Sequence, residues 1–392
     1  MTPVRLLLSI ALCFASALPA AEPIPVATPA GPGAAHPFLT TGAGGALLMS
    51  WMEPAGEKHA VKFASFANGK WSAPKTVVER DDLFVNWADF PSIASGSDGS
   101  LIVHWLQKSS AGKYSYDVHI ATSADGGVTW SAPRVLHKDR NPAEHGFVSL
   151  VPMKPGSGAL WLDGGAMTGH DGGDMSLRYA VVGADGTPRG ETVLDSRVCE
   201  CCGTSMVATR RGLVAAYRDR SADEVRDVAV VSMRDGKWSQ PRALRGDGWK
   251  IAGCPVNGPQ LAARGDRVVA AWFTAAEDKP RVFVAFSSDG GATFGEAIRS
   301  DRGTPLGRVD VLLLENGSAL LAWMSGKDDA TSILMRTVSP DGTLGAIARV
   351  ATTGASRSVG FPRMASAGGK TFVAWTEPMP QKRVRMVSVT LP

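Results

Sequence analysis

Cysteine and tyrosine are scarce in this 392-residue sequence, with five and four residues respectively, and basic residues form no cluster. The 41 Lys and Arg are nearly balanced by 37 Asp and Glu, so nucleic acid is not expected as a partner. Beyond the N-terminus, no apolar stretch is long enough to cross a bilayer and no segment keeps a helical period. With 44 Gly, 25 Pro and 11 Trp, the composition favours a turn-rich, all-β protein without a membrane span.

The longest apolar stretch lies at the N-terminus. Arg5 precedes the apolar residues 6–18, and Pro19, Ala20 and Ala21 follow them. This order of basic, apolar and small residues is typical of a secretory signal peptide, so residues 1–21 are predicted to be removed on export. The mature chain, residues 22–392, is expected to be periplasmic or secreted. It keeps four cysteines in an oxidising compartment.

A repeat organises the rest of the chain. Each copy has a turn residue, an alternating apolar strand and an aromatic residue six positions after the turn, and the copies recur every ~51–59 residues, as propeller blades do. Six copies keep the aromatic residue: Gly45–Trp51, Gly99–Trp105, Arg211–Tyr217, Asp266–Trp272, Gly317–Trp323 and Gly369–Trp375. The copy that begins at Gly158 has Gly164 at that position. The aromatic residues are expected to form the core between blades.

The repeat predicts one β-propeller domain of four-stranded antiparallel blades. Seven blades are expected, with six blades plus a capping sheet as the alternative. Most copies carry Asn-Gly or Asp-Gly where a tight turn should join the third and fourth strands, as at Asn68-Gly69. The last copy stops after its third strand, at residues 384–389. The N-terminal segment 24–28 is therefore predicted to supply the fourth strand and close the ring.

Two of these turns carry the longer pattern Ser-x-Asp-x-Gly-x-Thr-aromatic. Its residues are Ser123, Asp125, Gly127, Thr129 and Trp130 in one copy, and Ser287, Asp289, Gly291, Thr293 and Phe294 in another. The pattern resembles the Asp-box, or BNR repeat, of the sialidase superfamily, and the resemblance extends over nearly all of the mature chain. It implies a sialidase-like propeller in which these hairpins are structural and lie on the face opposite the substrate pocket.

The resemblance does not carry over the chemistry of that superfamily. A working sialidase implies an arginine triad, a Tyr–Glu nucleophile pair and an Asp acid/base, and the Phe-Arg-Ile-Pro-like segment that supplies the first arginine is not found. Tyr217 takes an aromatic core position, and Tyr114, Tyr116 and Tyr179 are expected in or beside third strands, away from the axis. A non-catalytic member is therefore favoured. An enzyme would be an exo-sialidase-like glycoside hydrolase.

The stretch that a bare propeller does not need is 198–205, which holds Cys199, Cys201 and Cys202. Cys254 occupies the matching place on the next blade. Segments that lead into the innermost strands share one face of a propeller, so the four cysteines are expected to meet near the channel mouth. Thiols packed together either oxidise to disulfides or share a soft metal ion.

Other soft donors are expected on the same face. His145 precedes an innermost strand, and a glycine-rich loop of the third blade carries Met167 and His170. Thiolate, thioether and imidazole ligands together favour copper(I), with zinc as the harder alternative. Structural disulfides and a redox-active thiol pair remain open, because exported cysteines are commonly oxidised.

Charged residues are expected at the same mouth. The candidates for binding an anionic or glycan ligand, or for catalysis, are Arg218, Asp219, Arg308, Asp310 and Arg357. Arginine binds carboxylates bidentately, although the same residues would equally serve as salt bridges between blades. Three functions thus stay open. They are soft-metal binding by a non-catalytic exported propeller, which is favoured, sialidase-like glycan binding or hydrolysis, and protein interaction through disulfide-locked loops.

Overall fold

The computed structural model describes residues 22–167, 172–327, 330–354 and 356–390, and these residues form seven antiparallel sheets arranged as the blades of a propeller. The all-β, seven-bladed architecture predicted from the repeat is confirmed. Within the described ranges the helical elements are three single 3₁₀ turns, at Ala43–Gly45, Ala276–Asp278 and Arg357–Val359. In this part of the chain, no helix has the length and apolar character needed to cross a membrane.

The strands follow one another from the innermost to the outermost position of each blade. In chain order they are β1 (Ile24–Pro25); in blade 1, β2 (Ala35–Thr41), β3 (Leu47–Ala55), β4 (Lys58–Ala67), β5 (Lys70–Trp71) and β6 (Lys75–Arg80); in blade 2, β7 (Ser92–Ser95), β8 (Leu101–Lys108), β9 (Tyr116–Ser123) and β10 (Arg134–Val135); in blade 3, β11 (His145–Pro152), β12 (Ser157–Asp163), β13 (Ser176–Val182) and β14 (Pro188–Asp195); in blade 4, β15 (Ser205–Thr209), β16 (Gly212–Arg218), β17 (Val228–Arg234), β18 (Lys237–Trp238) and β19 (Arg242–Ala243); in blade 5, β20 (Gln260–Arg264), β21 (Arg267–Thr274), β22 (Arg281–Ser287) and β23 (Ile298–Arg299); in blade 6, β24 (Pro305–Leu313), β25 (Ala319–Lys327), β26 (Ala330–Val338) and β27 (Ala348–Thr353); and in blade 7, β28 (Arg363–Ala367), β29 (Lys370–Glu377) and β30 (Arg383–Val389).

The N-terminal strand completes the last blade. β1 pairs antiparallel with β30, with Ile24 opposite Ser388. Just beyond β1, the indole of Trp71 in blade 1 donates a hydrogen bond of 2.8 Å to the Ala27 carbonyl. The segment therefore pairs with the otherwise open edge of β30 in blade 7 and also contacts blade 1 at the seam of the ring.

Aromatic residues on the second strand of each blade form the core between neighbouring blades. Six of them are less than 2 % exposed: Trp51, Trp105, Trp161, Tyr217, Trp272 and Trp323. Trp375 of blade 7 is 5 % exposed. One hydrophobic cluster joins Phe63 of blade 1 to Trp105 of blade 2. Since a blade cannot bury both of its faces alone, this packing requires the whole ring.

The third blade does have its aromatic residue, and the sequence alignment that put Gly164 at that position is wrong. Trp161 lies in the middle of β12, is fully buried, and donates from its indole to Asp163 at 3.0 Å. The turn before β12 is formed by Gly156, which has φ +82°, and not by Gly158. Two glycines within three residues gave the same turn signal, which shifted the alignment.

The two Asp-box hairpins connect third and fourth strands, as predicted. In blade 2, Asp125 accepts hydrogen bonds from the Ser123 hydroxyl at 2.7 Å and from the Thr129 hydroxyl at 2.6 Å. The hydrogen bond from Thr129 contributes most to lowering the pKa of Asp125. The box also contacts the preceding blade, because the Trp130 ring packs edge-on against Phe63, with 5.7 Å between ring centroids.

Gly127 is required for that contact. Its φ is +77°, and a Cβ built there would lie 2.2 Å from Cζ of Phe63. Gly126 has φ +66° but open space around it. Substitutions at the two glycines therefore separate the effect of strain at positive φ from the effect of steric overlap with Phe63.

We therefore predict that Gly127→Ala lowers the free energy of unfolding by roughly 2–4 kcal/mol, since it combines strain at positive φ with displacement of Phe63. The matched variant Gly126→Ala should cost only about 1 kcal/mol, from strain alone. Urea unfolding of both variants measures the difference. Equal losses would show that the Asp-box does not clamp blade 2 to blade 1.

Candidate functional site

One end of the propeller carries the candidate site. In a four-stranded antiparallel blade, the loops between second and third strands and the connections between blades lie at the end opposite the Asp-boxes. The axial channel holds a cavity of about 270 Å³ that is lined by the innermost strand of every blade. Near its mouth the residues His36, Phe147, Val256 and Arg308 have positive φ, between +48° and +56°. Strained backbone of this kind is concentrated at functional sites.

Three cysteine sulfurs form a compact group at this end. The Cys199 sulfur lies 3.5 Å from that of Cys202 and 3.8 Å from that of Cys201. Cys199 and Cys202 are buried, Cys201 is half-buried, and none of them is in a disulfide. The sulfurs of Cys199, Cys201 and Cys202 lie within 4.8 Å of one another, and Cys254 of the neighbouring blade is not part of that group. Cys254 is exposed, and the Cys201 thiol lowers its pKa.

The backbone on both sides holds the sulfur group in place. The Cys199 amide donates 3.0 Å to the carbonyl of Arg218, the last residue of β16. On the neighbouring blade, the Asn257 amide donates 3.4 Å to the Cys202 sulfur. Gly258 follows, and a Cβ there would lie 1.9 Å from the carbonyl oxygen of Gly203. The segments of blades 4 and 5 thus touch directly, and this contact determines where the sulfurs meet.

The charges around the group favour one thiolate among neutral thiols. The neighbouring Cys201 and Cys202 side chains lower the pKa of Cys199, and the Arg226 guanidinium, 3.3 Å from the sulfur, acts in the same direction. Burial raises the pKa of Cys202. Arg226 is itself positioned by Glu200, at 2.7 Å. Of these buried thiols, Cys199 is therefore the one whose deprotonation its surroundings favour.

The predicted nitrogen and thioether ligands do not share this group. The His145 ring faces Asp163 of its own blade, with 3.2 Å between Nδ1 and Oδ2, and its ring stacks on His137 at 3.8 Å. Met167 is 39 % exposed in a turn closed by its amide and the Gly164 carbonyl. His170 lies outside the described residues. In the described part of the chain, the donor set at the cysteines is sulfur.

Arg218 has a structural role here and is not positioned as an anion-binding residue. Its guanidinium is 2 % exposed and donates to the carbonyls of Asn257, Phe273 and Arg226 at 2.6–3.0 Å. These bonds join blade 4 to blade 5, which corresponds to the blade-bridging alternative. The adjacent Asp219 is half-buried and accepts from the Arg220 amide at 2.7 Å. Burial raises the pKa of Asp219.

Arg308 and Arg357 do meet at the mouth, around an aromatic pair. Trp87 and Phe361 stack with 6.0 Å between centroids and 8° between ring planes. The Arg308 guanidinium lies 4.8 Å from the Trp87 ring, and that of Arg357 lies 6.0 Å from it. Burial and the nearby Arg357 lower the pKa of Arg308 to about 10. The two cations and two flat rings form a patch that we call the Arg–aromatic patch.

Asp310 lies deeper, in the lining of the channel. Its carboxylate accepts from the Met364 amide at 2.6 Å and from the Val311 amide at 3.0 Å. Burial raises its pKa to about 6, and the charge of Arg363, which lines the same cavity, opposes that shift. Asp310 therefore serves the channel wall and not the Arg–aromatic patch.

The structure also shows a Tyr–Glu pair that the sequence interpretation did not assign. The Tyr116 hydroxyl donates to Glu144 at 2.8 Å and lies 3.2 Å from Asp89. Burial raises the pKa of Asp89 to about 8 and that of Glu144 to about 7. Gly146 makes room, since a Cβ there would lie 1.8 Å from the Asp89 carboxylate. Tyr116 begins β9, and the first residue of a third strand lies at the mouth end. The position of Tyr116 at the start of a third strand was therefore the sequence signal that could have placed it at this end of the propeller.

Comparisons with known proteins identify the fold of this chain but not its activity. No protein-family model matches the chain, and no curated protein matches it. Among solved structures, an ulvan lyase, which is a polysaccharide lyase, has 13% identity and a TM-score of 0.54, covering 95% of this chain and 94% of that one. A phage phi92 endosialidase has 8% identity and a TM-score of 0.51, with 95% and 69% covered. A puromycin-hydrolyzing peptidase of Mycobacterium tuberculosis has 12% identity and a TM-score of 0.50, with 94% and 55% covered. The chain therefore has the sialidase- and lyase-type seven-bladed β-propeller fold that its Asp-boxes predict.

Proposed function

We propose that this protein binds a thiophilic metal ion, copper(I) in the first place, through Cys199, Cys201 and Cys202, with Cys254 completing the set. The spacing of the sulfurs carries the proposal. A disulfide would bring two sulfurs to about 2.05 Å. Sulfurs that share one tetrahedral ion at about 2.3 Å lie about 3.8 Å apart, and the observed separations are 3.5 and 3.8 Å.

The choice of metal follows from the donor set. Thiolates select copper(I) and zinc, imidazole suits zinc, copper, iron and nickel, and carboxylates suit harder ions. With His145 turned away, the described donors are softer than the sequence suggested, which keeps copper(I) first and zinc second. The guanidinium of Arg226 offsets the negative charge that bound thiolates would bring into a buried place.

The location of the cysteines suggests what the metal would do. Cys199, Cys201 and Cys202 precede the innermost strand of blade 4, and Cys254 precedes that of blade 5. An ion held by both segments would link the two blades at the channel mouth. If residues 1–21 direct export, the metal would also protect these thiols from oxidation in that compartment.

A second candidate function rests on the Arg–aromatic patch. Flat aromatic faces stack on sugar rings, and arginine binds carboxylates bidentately. Arg357 is exposed and Arg308 half-buried, so both guanidinium groups lie where a ligand at the mouth would contact them. The patch thus suits an anionic glycan. Tyr116 is only 1 % exposed, so binding without turnover is the expected outcome.

For the metal proposal, the reduced parent protein should bind about one copper(I) per chain, and Cys201→Ser/Cys254→Ser should lose it. The loss of copper(I) affinity should exceed the roughly 10–100-fold loss that is typical of substitutions outside the ligand shell. Affinity should fall as pH is lowered, because hydrogen bonding raises the pKa of Cys201, burial raises that of Cys202, and both thiols must lose protons to bind. Competition with a copper(I) chelator and metal analysis measure both effects.

The matched control is Met167→Leu, which replaces an exposed thioether and should leave the stoichiometry at the parent value. Circular dichroism checks that each variant keeps its β-structure. Native metal-free protein with no reactive thiol, and with two disulfides mapped among the four cysteines, would refute the metal proposal.

For the glycan candidate, Arg308→Ala should weaken calorimetric binding of a sialic-acid or uronic-acid oligosaccharide about 10–100-fold, the value of one charge-assisted hydrogen bond. The control is Arg134→Ala, an exposed arginine that follows the Asp-box of blade 2 at the other end of the ring. A fluorogenic sialoside tests for turnover. Equal affinities of the two variants would remove this candidate.

A further inference from the structure

One arginine inside the axial channel lacks the hydrogen bonds that buried guanidinium groups usually make. Arg363 begins β28 of blade 7 and lines both the channel cavity of about 270 Å³ and a smaller cavity of about 40 Å³ nearer the mouth. Its Nε is buried and has no hydrogen-bond partner among the described residues. By contrast, the buried Arg218 donates to three backbone carbonyls. Arg363 therefore has unused N–H donors beside an open space.

Aromatic rings surround this guanidinium in place of acceptor atoms. Its central carbon lies 5.6 Å from the ring centroid of Phe38, 5.4 Å from that of Phe90 and 5.7 Å from that of Phe361. Cation–π contacts attract the charge but leave the N–H groups without acceptors. Burial lowers the pKa of Arg363, but arginine stays charged in proteins. A buried charge with unmet donors is costly unless an anion pairs with it.

Two carboxylates line the same cavities, but their oxygens bond to other groups. Asp310, in the channel cavity, accepts from the Met364 amide at 2.6 Å. Asp89, in the smaller cavity, accepts from the Phe147 amide with both oxygens at 2.9 Å, and burial raises its pKa to about 8. Among the described residues, neither carboxylate forms a hydrogen bond with Arg363. The missing acceptor would therefore be a ligand that enters the channel.

Charge and space together define the ligand. The guanidinium of Arg308 lies 5.9 Å from the same Phe361 ring, so two cations and the ionised Asp310 leave one positive charge to be balanced. The smaller cavity has room for an ion the size of a water molecule but not for a sugar ring. We propose that the axial channel binds one small monovalent anion, of the size of a halide ion, on the Arg363 guanidinium. This proposal rests on neither the metal proposal nor the glycan candidate.

Bromide locates such an ion directly, because it scatters X-rays anomalously at its absorption edge. Crystals of the full chain soaked in bromide should show an anomalous peak in the channel, within hydrogen-bond distance of the Arg363 guanidinium. Arg363→Met keeps an unbranched side chain against the phenyl rings but removes the charge, and it should lose that peak. The matched control is Arg134→Met, which changes an exposed arginine at the other end of the ring and should keep the peak.

A solution measurement on the wild-type chain decides the matter even if Arg363→Met does not fold. Chloride that exchanges with the channel should broaden the chlorine-35 NMR signal, and added bromide should reverse the broadening in a saturable way, as it should in Arg134→Met. The proposal is overturned by broadening that bromide does not reverse, by a peak that persists in Arg363→Met, or by bromide found at exposed cations alone, as an adventitious ion only. Loss of copper at the cysteines, or of glycan binding at the Arg–aromatic patch, leaves these results unchanged, so the proposals fail independently.

Discussion

The packing of one aromatic residue per blade against the next blade is the constraint on which the rest of the structure depends. Trp105 of blade 2, for example, is buried in a cluster that includes Phe63 of blade 1. Since no blade covers both of its faces alone, the ring must close, and β1 closes it by pairing with β30. Closure brings the connections between blades to one end of the channel. The proposed metal site at the cysteines lies at a blade interface for that reason.

The fold follows from the sequence because its signals are local and repeated. A strand period of two, a turn pair and an aromatic residue recur in each copy, so an error in one copy is corrected by the others. The third copy shows the limit. Gly156 and Gly158 are both turn signals, and aligning the copy on Gly158 meant that Trp161 was not recognised as its aromatic residue. Trp161 is nevertheless the fifth residue of β12, as Trp51 is of β3. The Asp-boxes were identified correctly because the Ser, Asp and Thr of the motif all hydrogen-bond within the turn, as Thr129 does with Asp125.

The candidate site was less predictable because blade order gives the position of a residue but not the direction of its side chain. His145 begins an innermost strand, close to the place that the cysteines take before β15, yet its ring faces Asp163 within its own blade. Arg218 lies beside the sulfurs, but its guanidinium donates hydrogen bonds to backbone carbonyls. Tyr116 was assigned to a position away from the axis, whereas the start of β9 brings it to Glu144. Such choices depend on contacts between blades, which one sequence does not reveal.

The sulfur group offers soft donors beside a cation. The Arg226 guanidinium lies 3.3 Å from the Cys199 sulfur and is itself held by Glu200 at 2.7 Å. A positive charge at that place would offset part of the negative charge of thiolates that bind a metal ion.

The most direct test of the central claim is X-ray absorption at the metal edge of the copper-loaded protein. The account predicts a first shell made of sulfur, with metal–sulfur distances near those of thiolate sites, about 2.3 Å. A first shell of nitrogen or oxygen, or protein that holds no metal because its four cysteines are oxidised, would contradict it.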